Sequence, residues 1–136
     1  MSPQIVVDEH LDYWKVTRVI ARWIKAEQIG YELGHKSMSD ENIRTFLHQL
    51  KQHTLITIDD HFYKRQYCDS RYCLIYFDVP LAQQNEIPDL FRKLFHIPLF
   101  RTSRLRMGKV VRVSRSGGIH FFDSRTGSEK HLSWTP

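Results

Sequence analysis

The chain has 136 residues, 41% hydrophobic and 26% charged, enough apolar side chain for one packed core and too much for a disordered segment. A net charge of +5 and a pI near 9.4 predict attraction to polyanions and say nothing about the fold. No run approaches a membrane span, and the N-terminus lacks the basic and long apolar regions of a signal peptide, so the expectation is a cytoplasmic protein with no membrane partner.

In chain order, Ile5-Val6-Val7 is a short β-branched run that reads as a buried strand ending at Asp8. A helix is expected over about Asp12 to Lys25, because Trp14, Val16, Val19, Ile20, Trp23 and Ile24 recur at three- and four-residue spacing. Ile29, Tyr31 and Leu33 alternate, which suggests a short strand, and Gly34 marks a turn. Ser39-Asp40-Glu41 has the residue types of a helix start, and Ile43, Phe46, Leu47 and Leu50 form the stripe that follows. Leu55–Ile58 reads as a strand ending at Asp59, and Cys73–Phe77 as another ending at Asp78 and stopped by Pro80. Asn85 to Leu94 reads as a helix with Pro88 in its first turn. Lys109–Val113 and Ile119–Phe122 are strand-like and joined through Ser116-Gly117-Gly118 as a hairpin, with a further short strand after Thr126-Gly127.

Strands separated by helices predict an α/β fold with a mostly parallel sheet in one domain over 1–136, whose β-rich basic section covers about 98–136. Cys68 and Cys73 stand in a C-x4-C spacing near His61, but a zinc site would need a second ligand pair, so they read as free thiols.

Ligands of open parallel sheets gather beyond the carboxyl ends of the strands, and Asp8, Asp59 and Asp78 all fall there. Hard cations such as Mg2+ and Mn2+ require several oxygen ligands, which makes Asp8, Asp40 and Asp59 candidates for a divalent site. Taken singly, Asp8 and Asp59 read more readily as caps of following helices and Asp40 as a carboxylate at a helix dipole. From Leu90 to Phe122 there is no acid, while Arg101, Arg104, Arg106, Lys109 and Arg112 supply candidate phosphate contacts. Phe95, Phe100, Phe121 and Phe122 lie among them and are expected mostly in the core.

The runs Ile5-Val6-Val7-Asp8-Glu9-His10-Leu11, Met38-Ser39-Asp40-Glu41-Asn42-Ile43 and Thr54-Leu55-Ile56-Thr57-Ile58-Asp59-Asp60-His61-Phe62, in this order, resemble the PIN-like family in its VapC-like ribonuclease toxin group. The resemblance covers about Ile5 to Phe62, and the later strand, helix and hairpin follow in order. It implies a three-layer α/β/α fold with a C-terminal β-hairpin. It also implies a metal-dependent endoribonuclease, with Mg2+ or Mn2+ on Asp8, Asp40 and Asp59, acting as the toxin of a toxin–antitoxin pair. RNA, an antitoxin protein and a second copy of the chain are the implied partners. Glu9, Thr57 and His61 take supporting positions. Two departures stand out: His10 replaces the family's Asn, and His61 replaces a fourth acid, leaving Asp60, His61 itself or Asp78 as candidates for that place, or a site of three acids alone. The second departure keeps another function open, a catalytically silent RNA-binding or partner-binding module.

Overall fold

The computed structural model describes residues 4–33, 39–49, 52–116 and 118–133, with the side chains of residues 40 and 44 excepted. The turn expected at Gly34, the helix residue Leu50 and the connecting Gly117 lie outside the described residues.

A seven-stranded mixed sheet organises the chain. Its strands are β1 (Ile5–Val7), β2 (Ala26–Gln28), β3 (His53–Thr57), β4 (Tyr72–Asp78), β5 (Lys109–Ser114), β6 (Gly118–Asp123) and β7 (Glu129–Ser133). They lie in the order β2-β1-β3-β4-β5-β6-β7. The five strands β2 to β5 in that row pair in parallel, and β5–β6 and β6–β7 pair antiparallel. The helices are α1 (Arg18–Ile20), α2 (Asp40–Gln49), α3 (Ile87–Phe95) and α4 (Ser103–Arg106).

Side chains alternate across the parallel strands, and each set finds its own core. Val7, Ile56, Ile75, Phe77 and Val111 pack with Val16, Ile20 and the Phe91 and Leu94 of α3. Val6, Leu55, Leu74 and Val110 pack with Ile43 and Leu47 of α2 and with Phe62. Both faces are therefore buried, at roughly 1.5–3 kcal/mol for each large apolar side chain withdrawn from water.

The segment after β1 departs from the expected long helix. Asp12 caps it, accepting from the backbone N–H groups of Trp14 (2.9 Å) and Lys15 (3.0 Å). Tyr13–Thr17 then winds as a π-type turn, with the Arg18 N–H reaching the Tyr13 carbonyl, before the three residues of α1. This wider winding breaks the expected stripe: Val16 and Ile20 are buried, whereas Trp14 is 71% exposed. The edge strand is β2, not the alternating run that follows it; Ile29 and Leu33 make only a single bridge and Tyr31 faces solvent. β3 starts earlier than expected and releases the chain before Ile58. A 3-10 segment, Leu81–Glu86, precedes α3, whose Pro88 sits in the first turn. Among the described residues no helix is long and apolar enough to cross a membrane.

Candidate acidic site

β1, β3 and β4 run side by side in parallel, so Asp8, Asp59 and Asp78 leave the same carboxyl edge of the sheet. α2 leads from the carboxyl end of β2 to the amino end of β3, so its first turn, opened by Asp40, lies at that edge too. Ser39 caps α2 by accepting from the Asn42 N–H at 3.2 Å. The side chain of Asp40 is outside the described residues.

Thr57 joins the first and third motifs. Its hydroxyl donates to Asp8 Oδ2 at 2.7 Å and accepts from the Asp59 N–H at 3.0 Å. Asp8 is 3% exposed, and its N–H donates to the Ile56 carbonyl at 3.0 Å. Burial pushes the Asp8 carboxyl above its ordinary value. The Thr57 hydroxyl, the His10 side chain and the His10 N–H pull it back, and the nearby Asp59 charge pushes it up again.

Asp59 caps the short 3-10 turn Asp60–Phe62, its Oδ1 accepting from the His61 N–H at 3.0 Å. The same oxygen lies 3.2 Å from His61 Nδ1. One ligand atom each from Asp59, Asp60 and His61 lie within 4.8 Å of one another, with Asp60 and His61 open to solvent. Asp8 joins no such group of three among the described residues. Glu9, next to Asp8, is half-buried, and its carbonyl accepts from Gln28 Nε2 at 3.4 Å.

Asp78 is held differently. Arg112 Nη2 donates to its Oδ2 at 2.7 Å and the Tyr76 hydroxyl to its Oδ1 at 3.1 Å, and the Arg112 bond holds its carboxyl below the usual range. Its negative charge is already balanced by a guanidinium, which disfavours it as a cation ligand.

Two of the cations expected to contact RNA, Arg106 and Lys109, are buried and do not offer a surface. Lys109 opens β5, so it and the preceding α4 lie at the amino edge, across the sheet from the acids. Arg106 is 1% exposed, its Nη1 donating to the Phe100 carbonyl (3.0 Å) and its Nε to Thr54 Oγ1 (3.2 Å), with its guanidinium 3.9 Å from the Phe95 ring centre. Lys109 is buried too, donating to the Leu105 carbonyl at 2.6 Å and lying 3.6 Å from Asp123. Arg112 is engaged by Asp78. Arg101 and Arg104 are exposed, the former donating to the His96 carbonyl at 3.0 Å. Phe95, Phe100 and Phe121 are core residues, and Phe122 is partly buried. Cys68 and Cys73 are free thiols.

One positioning residue was not evident in the sequence. Gln28 of β2, fully buried, accepts from Thr17 Oγ1 (2.5 Å) and donates to the Leu11 carbonyl (2.6 Å), which ties down the loop leaving Asp8. Gln28 falls between the expected helix and the alternating run over 29–33, where no sequence pattern marks it. The chain matches no family model, no curated protein and no solved structure.

Proposed function

We propose that this protein is a divalent-metal-dependent endoribonuclease with a PIN-like three-layer arrangement and a C-terminal β-hairpin. The observation that carries the reading is the Thr57 bridge, which couples buried Asp8 to Asp59 at the ends of adjacent parallel strands. The two cores on opposite faces of the sheet and the antiparallel β5–β6 pair agree with the proposed layers.

The donor set suits a divalent cation. Asp59, Asp60 and His61 offer two carboxylates and an imidazole at compatible spacing, a mixture Mn2+ accepts and Mg2+ takes less readily. Asp8 adds a carboxylate whose burial makes its charge costly without a positive partner, and Asp40 opens the neighbouring helix. Bound there, the cation would supply charge neutralisation at a phosphodiester and a more acidic water. The chain's own contributions are distinct. Thr57 fixes the orientation of Asp8, and the Asp59 cap holds the turn bearing Asp60 and His61. A toxin role rests on the family resemblance.

The test is cleavage of labelled single-stranded RNA by wild type and Asp59→Asn with Mn2+, Mg2+ or EDTA. Wild-type cleavage that needs metal and falls at least about a hundredfold in the variant is expected, since removing one charge-stabilising group commonly costs that much. RNA left intact by wild type over a broad substrate panel, or equal cleavage by both proteins, contradicts it.

A further inference from the structure

Among the described residues, exposed cations without a carboxylate partner lie at several places, Arg101 and Arg104 among them, but one group sits among exposed aromatic rings. From Tyr13 to Ala26 the chain carries Lys15, Arg18, Arg22 and Lys25 and no acid. Lys15, Arg18 and Arg22 are exposed, and no carboxylate pairs with any of them among the described residues. Arg71, Arg112 and Arg115, by contrast, each lie on a carboxylate at 2.7–2.8 Å.

These cations surround aromatic rings. Trp14 is 71% and Tyr31 58% exposed. Tyr13 stacks on Tyr31 with ring centres 4.8 Å apart and planes 18° from parallel, and Trp14 meets Tyr13 edge-on at 5.4 Å. The Tyr13 hydroxyl donates to Glu32 at 3.0 Å, which anchors the stack to the chain beyond β2. The Arg18 guanidinium lies 5.6 Å from the Trp14 ring centre. Trp14, Arg18, Ala21 and Arg22 line one open cleft of about 420 Å3. A large exposed ring beside guanidinium groups that no carboxylate neutralises contributes little to the fold, and it has the composition of a platform for unstacked bases. Its first residue, Trp14, lies two residues after Asp12 on the segment that leaves Asp8, and the chain then runs through α1 to the start of β2.

We propose that this face binds single-stranded nucleic acid, one base stacking in the Trp14 cleft and the adjoining phosphates held by Arg18 and Arg22. Guanidinium groups suit both partners, since they fork onto phosphate oxygens and lie flat on aromatic faces. A duplex hides its base faces and would gain only the charge. The inference deepens the nuclease reading by naming a surface that would hold the single strand, but the binding itself needs no metal.

The experiment follows binding of a fluorescein-labelled twelve-nucleotide oligouridine to the full chain in EDTA, by anisotropy at several salt concentrations. Trp14→Ala is expected to weaken binding about tenfold, and Trp14→Phe to restore most of it. Arg18→Ala with Arg22→Ala is expected to lower affinity and flatten the slope of log K against log salt by about 1.4, the share of two phosphates. Arg104→Ala, at the other edge, should change neither. Affinities and slopes unchanged in the Trp14 and Arg variants, or equal affinity for a blunt RNA duplex, would overturn the proposal. Binding that obeys these expectations in a protein that never cleaves RNA sinks the nuclease reading alone. Cleavage by wild type, with binding indifferent to the variants, sinks this one alone.

Discussion

Thr57 is the side chain through which two acidic motifs meet. Valine has its shape and no hydroxyl, so Thr57→Val leaves the buried Asp8 oxygen and the Asp59 N–H without their partner. A loss of about 1–3 kcal/mol in urea unfolding is expected, with Thr57→Ser recovering most of it; an unchanged midpoint would detach Thr57 from the site. The threonine was readable in the sequence as part of a motif, but its contact with Asp8 was not, because a strand residue is as readily a packing residue as a hydrogen-bond donor. Arg106 went the other way. A basic residue in an acid-free stretch reads as a phosphate contact, yet its position after Phe100 and beneath Thr54 takes it into the core. There burial lowers its pKa to about 10, and it stays charged at neutral pH.

At the scale of elements, β-branched runs made the strands legible, because β1, β3, β4 and β5 are buried on both faces and need little alternation to be recognised. The first helix departs from its sequence periodicity for a definable reason. A 3.6-residue period put Trp14 inward, and a π-type turn, which no periodicity announces, put it in water. The join between α4 and β5 depends on Gly108, which has φ +86°. Its N–H donates to the Tyr72 carbonyl at 2.9 Å, and its carbonyl accepts from the Ser124 N–H at 2.8 Å. An added Cβ would lie 2.6 Å from Ser124 Oγ. Gly108→Ala should therefore cost roughly 1–2 kcal/mol, and Ser124→Gly in the same chain should recover only the steric part, since the left-handed backbone remains strained. Full recovery in thermal unfolding would assign the whole cost to the side-chain clash.

For the whole molecule, the order of strands decides what the charges can do. Sequence could place Asp8, Asp59 and Asp78 at strand ends, but it could not say that β1 lies between β2 and β3, nor that α4 and Lys109 come to the opposite edge. Such pairings are non-local, and charge statistics along the chain carry no edge. The carboxylates also divide in their effect on stability with pH. Asp69, held by Arg71 and lowered to about 2, stabilises the fold above its unfolded value near 3.8, and that contribution is lost as pH falls through about 2. Asp78 acts in the same direction. Asp8, raised by burial, does the reverse: its contribution is complete below 3.8 and is lost as pH rises through its folded value. Without metal, Asp8→Asn should thus melt higher than wild type at neutral pH, and the two should converge on acidification. A variant that melts lower at neutral pH would contradict the buried charge.

The central claim, that the acidic edge holds a divalent cation, is tested most directly by titrating Mn2+ into the RNA-free protein, with wild type, Asp8→Asn and Asp59→Asn compared at neutral and mildly acidic pH. The account predicts one site in wild type that weakens at least about tenfold in each variant and weakens in wild type as Asp8 takes up its proton. No binding by wild type, or binding indifferent to both substitutions, would contradict it.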